Sequence, residues 1–439
     1  MTTEGPRSGP RKWLSVPYAQ TMTAEGPRSG PRKCARFFFY LLCFAIPFSI
    51  AAIEITFPIL LIAWLIGWRP YSSSSTSIWR QEAGRPILLA LAGYLLLCAL
   101  SIPISTNPKL SIAGFIGKTL EYALFFLILA DVAKHPDAAR KSITLLVTAG
   151  LLVCIYGLLQ EWLIHHQIGT PHVVLDPIRG KKLIYDRMVG PYSNPIDMAT
   201  FLMVTSLLLL PRLFSHPLRK QLGGWALWLL FLGCIAWTES KGGILGLSFG
   251  LLFILLLNFR NRRMWTGLGM FALAMTAVLV LYKQKNFSRV IALADPGSRE
   301  RVVMWNAALS MIKDKPVFGL GLNTFMSNYM AYVSGPNQGP AYAHNCFLQI
   351  AAETGLISLF FFLLFLACIF WTYLRALRYT SLKQVESRPD LVGMSAALFG
   401  FLVQSGFDTN LYSLRQVTLF WALAGAAVGF SCHLLQQDK

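Results

Sequence analysis

The residues in this chain that could do chemistry gather in a few short stretches. In GPAYAHNCFLQIAAETGL, residues 339–356, His344 and Asn345 stand where a polar loop rich in Gly and Pro gives way to an apolar run. A histidine there can exchange protons near neutrality, or it can serve as an interfacial or capping residue. Glu353 follows roughly 2.5 turns later if the run is a helix of about 3.6 residues per turn. Cations stand in three other places: Lys241 in TESKGGILGL, Arg187 in RMVGPYSNPIDMATFL, and Arg299 and Arg301 in SRERVVMW.

These residues lie between apolar runs that must position them. Of the 439 residues 55% are hydrophobic and only 13% charged, and the mean hydropathy is +0.52. A soluble chain of this size could not hide that much apolar surface, so the class is polytopic membrane protein. A span needs roughly 20 apolar residues. Candidates run at about 37–50, 53–68, 86–104, 112–131, 142–162, 196–214, 224–238, 242–258, 264–282, 349–374, 390–407 and 415–434. The first two read as a tight hairpin around Pro47 and Glu54, or as one long tilted helix.

The expected fold is therefore all-α, with about 12 transmembrane helices and one large outer loop containing short amphipathic helices. Its divisions are a basic N-terminus at 1–36, spans 1–9 at 37–282, the large loop at 283–348 and spans 10–12 at 349–435. Basic clusters such as Arg260/Arg262/Arg263 and Arg375/Arg378 fall on one side, as the positive-inside rule requires. They place His344, Lys241, Arg187 and Arg301 together on the outer face. The net charge of +19 is explained by this topology, and no basic face interleaved with exposed aromatics suggests nucleic acid. The outer loops are basic too, which suits an anionic substrate or reflects the freedom of long translocated loops from charge selection.

Other features read as structural. Lys118 and Glu121 lie three apart within a span and are expected to pair. Asp408 and Arg415 flank the short outer turn DTNLYSLR. His165, His166 and His172 have no carboxylate or cysteine at ligand spacing, and the eight cysteines show no CxxC, so no metal site is expected. FGLGLNTF contains GxG without the context of a nucleotide site. In the large loop, Val302, Trp305, Leu309 and Ile312 predict an amphipathic helix over 298–313, with Ser298 as its cap and Pro316 after its end. MTTEGPRSGPRK returns as MTAEGPRSGPRK at residues 22–33. Its composition predicts disorder, and its origin stays open between an upstream start, with Met22 the natural one, and a fusion scar.

The convergence of polar groups on one face favours an enzyme working at the membrane–water interface on a substrate with a lipid tail. A transporter usually carries its site near the midplane. RVVMW, PVFGLGLNTF and HNCFLQIAAETGL, in that order, resemble the signature of the O-antigen ligase and Wzy-type polymerase superfamily. RMVGPYSNPIDMATFL and TESKGGILGL resemble segments of the same family further upstream. The resemblance covers roughly residues 37–435. The family commonly has Arg where this chain has Lys241, which keeps the charge but loses the bidentate fork for phosphate oxygens.

The resemblance implies a bacterial inner-membrane glycosyltransferase with its active site facing the periplasm, needing no metal, nucleotide or other cofactor. The donor would be a glycan on undecaprenyl diphosphate, and the acceptor the lipid A–core oligosaccharide. His344 would be the catalytic base in an inverting attack. Arg301, Lys241 and Arg187 would bind the diphosphate, with Arg299, Asn345 and Glu353 in support. Other partners would be membrane lipids; the sequence does not set the oligomeric state. A Wzy polymerase, a protein O-oligosaccharyltransferase and, from a different class, a small-anion transporter remain alternatives.

Overall fold

The computed structural model describes residues 29–67, 79, 82–168, 172–175, 182–185, 187–215, 217–258, 265, 269, 296–333, 339–383 and 386–437. Apolar runs broken by short polar turns fold into antiparallel helices. α1 (Ser29–Ala45) and α2 (Ile50–Gly67) form a hairpin, followed by α3 (Arg85–Leu100). α4 (Pro108–Gly114), a π-helical turn (Phe115–Leu120) and α5 (Glu121–Val132) are continuous. Next come α6 (Pro136–His165), α7 (Pro195–Phe214), α8 (Leu222–Trp237) and α9 (Lys241–Leu257). The amphipathic α10 (Pro296–Asp314) and the short α11 (Phe325–Tyr329) precede α12 (Cys346–Lys383), α13 (Arg388–Ser405) and α14 (Leu414–Gln436). Between α6 and α7, β1 (His172–Leu175) and β2 (Lys182–Tyr185) pair antiparallel with His172 opposite Tyr185. This ribbon is the departure from an all-α chain among the described residues.

Among the described residues, six helices are long and apolar enough to cross a membrane: α2, the α4–α5 rod, α6, α7, α12 and α14. α3, α8 and α9 are apolar but shorter; at about 1.5 Å per residue they fall short of a hydrocarbon core about 30 Å thick. The expected twelve crossings are not reached by this measure, and the segment 264–282 lies outside the described residues. Exposed Ile55, Ile62, Leu89, Leu96, Leu252 and Phe360 give the bundle an apolar outer surface suited to lipid.

Side chains tie the two ends of the bundle. At one end Arg212 Nε donates to Asp390 Oδ1 at 2.6 Å, joining α7 to α13, and Arg388 Nη1 donates to Asn258 Oδ1 at 2.6 Å. At the other end Ser413 Oγ donates to Asp197 Oδ2 at 3.1 Å. Arg415 Nη1 donates there to the carbonyls of Pro47 at 3.1 Å and Pro191 at 2.7 Å. α13 packs against both α7 and α9. A Cβ on Gly246 of α9 would lie 2.6 Å from the carbonyl oxygen of Gly400, so only small residues allow this approach.

Candidate functional site

The site is built on a break in α12. Gly355 has φ 87°, and a Cβ there would collide with the carbonyl oxygen of Val317. The turn between α10 and α11 docks on this break. Leu320 N donates to Ala352 O at 2.9 Å, Gly321 N to Glu353 O at 2.9 Å, and Leu356 N to Pro316 O at 2.8 Å. The PVFGLGLNTF and AAETGL stretches thus fold as one unit, although they are separate in sequence.

Glu353 is the side-chain clasp of that unit. Oε2 accepts from Asn323 N at 2.9 Å; Oε1 accepts from Phe325 N at 3.2 Å and from Gln349 Nε2 at 3.2 Å. The carboxylate is buried, and these donors satisfy its oxygens, with the Lys118 ammonium near enough to act on its charge. Gln349 Oε1 in turn accepts from Ala343 N at 3.3 Å, carrying the network to the residue before His344.

His344 enters α12 in the left-handed region, with φ 47°. Asn345 caps the helix: its Oδ1 accepts from the amides of Phe347 and Leu348, both at 3.0 Å. The strained turn points the imidazole at the α13–α14 connection, where Nδ1 lies 3.3 Å from Asp408 Oδ1. The side chain of Asp408 is 8% exposed and that of His344 32%, so the carboxylate is shielded while the ring still meets solvent. Asp408 Oδ1 is fixed by Thr409 N at 2.8 Å, and its carbonyl accepts from Cys346 Sγ at 3.1 Å. With Nδ1 donating to Asp408, Nε2 keeps its lone pair and points away from the carboxylate.

The cations approach from two sides. Trp305 Nε1 donates to the carbonyl of His344 at 3.5 Å, and its ring lies 6.4 Å from that of Phe407. Arg301 sits one turn earlier on the same face of α10. Among the described residues neither Arg301 nor Arg299 makes a hydrogen bond or ion pair. Arg299 is exposed and Arg301 half-buried. On the other side, Arg187 Nε lies 3.4 Å from Glu239 Oε2, and Met188 N donates to Trp237 O at 3.4 Å. Arg187 therefore shares the 238–241 turn with Lys241, which begins α9 behind the Ser240 cap, whose Oγ accepts from Gly243 N at 3.2 Å. Gly242 abuts Gln404 near the end of α13, which sets this turn at the same end of the bundle as Asp408.

Two features differ from the sequence reading. Lys118 does not pair with Glu121. Its Nζ donates to Asn323 Oδ1 at 3.1 Å, because the π-helical turn at Phe115–Leu120 rotates the two residues out of the ordinary helical alignment. Asp408, visible only as a charge flanking a turn, becomes the partner of His344. Its one sequence signal was a carboxylate at the rim of a span.

The fold and site define a multi-pass helical membrane protein with a histidine–carboxylate pair, and with Arg187 and Lys241 on a turn at the same end of its bundle. Residues 225–363 match the Wzy_C family, described as O-antigen ligase, in keeping with the O-antigen ligase and Wzy superfamily. The matched segment runs from α8 past the α12 break and contains Lys241, Arg301, His344 and Glu353; Arg187 and Asp408 lie outside it. No curated protein matches the chain.

Proposed function

We propose that the chain is a glycosyltransferase that moves an O-antigen glycan from undecaprenyl diphosphate to a hydroxyl of the lipid A–core oligosaccharide. The observation that carries this reading is His344 held through Nδ1 by Asp408 at 3.3 Å, at the bundle end that also bears Arg187 and Lys241. An acceptor hydroxyl is a weak nucleophile, and Nε2 of His344 takes its proton as the oxygen attacks the anomeric carbon. Asp408 holds the tautomer and stabilises the imidazolium that forms. The glycosidic bond to the diphosphate breaks with inversion, and negative charge grows on the leaving oxygens. Arg301, Lys241 and Arg187 stabilise that charge more in the transition state than in the ground state.

The site faces the periplasm in this reading, and the inner membrane is its location. Support comes from the opposite end of the bundle, which carries Lys134, Arg140, Arg212, Lys220, Arg375 and Arg388, the pattern of a cytoplasmic face. Loop 283–348 then lies outside and recognises the acceptor. The test is a deletion strain whose lipopolysaccharide is resolved on a gel. Loss of the polymer ladder with polymer accumulating on undecaprenyl diphosphate supports ligation. Lipopolysaccharide bearing a single repeat assigns polymerisation instead, and an unchanged ladder overturns both.

A further inference from the structure

Gln349 lies in the first turn of α12 and is fully buried. Its side-chain amide links two groups: Oε1 accepts from Ala343 N at 3.3 Å, and Nε2 donates to Glu353 Oε1 at 3.2 Å. We infer that Gln349 is a positioning residue for His344, fixing the backbone that enters α12 so that the imidazole meets Asp408. As an account of catalysis this rests on the proposed transfer, to which it adds a second support for the base, on the backbone side of the ring.

The amide fits only one way round. Turned over, it would set its NH2 against the Ala343 N–H and its oxygen against the Glu353 carboxylate. Ala343 is buried, so its N–H has no water to turn to and depends on this acceptor. His344 follows with φ 47°, a conformation that a residue other than glycine keeps only where its surroundings over-determine it. After His344 the chain is fixed by Asn345, whose Oδ1 accepts from the amides of Phe347 and Leu348. Cys346 Sγ adds a bond to the carbonyl of Asp408. On the residue before His344, the side-chain bond comes from Gln349.

The same amide carries support to the histidine from the α12 break. Glu353 accepts from Asn323 N and Phe325 N, so the turn between α10 and α11 holds the carboxylate. The carboxylate holds Gln349, and Gln349 holds Ala343. His344 is therefore held twice: at Nδ1 by Asp408 from the α13–α14 link, and through its backbone by the turn docked on the break. Because Gln349 is buried, it meets neither donor nor acceptor, and its effect passes through the histidine.

The test reads the pose of His344 without relying on transfer. It uses the full chain in phosphatidylcholine nanodiscs treated with diethyl pyrocarbonate, which acylates imidazole nitrogen, and follows the rate at His344 by peptide mass spectrometry. A carboxylate on Nδ1 makes Nε2 the better nucleophile, so labelling should slow several-fold in Asp408→Asn and by a similar factor in Gln349→Met. Gln349→Glu sets a second carboxylate against Glu353 and should slow it too. Adding Glu353→Gln leaves one carboxylate facing one amide, with donor and acceptor exchanged, and should return the parental rate. In transfer assays at equal membrane abundance, Gln349→Met should lower kcat by roughly 10-fold, since misplacing a reacting group by about 1 Å can cost up to about 10²-fold. Both KM values should stay as they are, and the loss should be less than additive with Asp408→Asn. A parental labelling rate in Gln349→Met, or a paired exchange no better than Gln349→Glu alone, overturns the inference. Should Gln349→Met fail to accumulate, the paired exchange decides by itself. Parental transfer by His344→Gln, with the labelling pattern as expected, overturns the catalytic reading and leaves the positioning intact.

Discussion

Asp408 Oδ1 stands 3.3 Å from His344 Nδ1, and the two meet because a left-handed turn at the start of α12 faces the short link between α13 and α14. The carboxylate is the better shielded of the two, so it acts on the ring rather than on a substrate. In the proposed transfer the pair divides the work: Asp408 would orient, and Nε2 of His344 would take the proton.

Asp408→Asn is therefore expected to reduce glycan transfer by about 10²-fold or more, within the range of a general acid–base contribution. His344→Gln should reduce it at least as far. Because the two act as one unit, the double variant should be little worse than His344→Gln alone. Transfer rates of the four proteins, measured at equal membrane abundance, decide the matter. Additive losses would mean that Asp408 serves something other than the histidine.

Glu353 makes a different prediction. Glu353→Ala would strip acceptors from Asn323 N, Phe325 N and Gln349 Nε2, and each unsatisfied buried group costs about 1–3 kcal/mol. The outcome should be a lower unfolding temperature in detergent and reduced yield, not a folded and inactive enzyme. Glu353→Gln retains one acceptor oxygen and should be milder. A normal melting curve for the alanine variant with transfer lost would instead give Glu353 a direct part in the chemistry.

Much of the arrangement was legible in the sequence, for a physical reason. Apolar runs bounded by charges specify helices, but the starts were less legible: Ser298, expected as a cap, lies inside α10, which begins at Pro296, while Asn194 and Ser240 cap α7 and α9 through their side-chain oxygens. The sequence reading set the motif stretches around Lys241, Arg301 and His344 on one face by alternating twelve expected spans, of which six are long and apolar enough among the described residues. What could not be read was contact across the fold. The pairing of His344 with Asp408 spans 64 residues, and the docking of Pro316–Phe325 on the α12 break depends on Gly355, one glycine among 34. Lys118 misled because helical spacing was assumed through a segment that widens into a π-helical turn.

Gly355→Ala tests that break directly. An L-residue at φ 87° is strained by about 1–2 kcal/mol, and the added methyl would collide with the Val317 carbonyl. Leu356 N, Leu320 N and Gly321 N would then lose their alignment with their acceptors. The variant should melt well below the parent and become more susceptible to protease between residues 316 and 325. An unchanged melting temperature with the usual protection would show that the turn is held elsewhere.

The cations should divide by their surroundings. Arg301 makes no ion pair among the described residues, so Arg301→Glu should abolish transfer while leaving the melting temperature nearly unchanged. Lys241→Arg should retain activity, since the charge stays and the fork for phosphate oxygens is gained. Arg187 is half-exposed beside Glu239, and such a pair contributes about 0–1 kcal/mol to stability. Glu239→Gln should therefore hardly alter folding, yet it frees Arg187 for the diphosphate and should change the apparent donor affinity. The measurements are donor titrations at fixed acceptor, alongside thermal unfolding. If Arg301→Glu transfers glycan at the parent rate, α10 brings no charge to the leaving group, and Lys241 and Arg187 must carry that stabilisation alone.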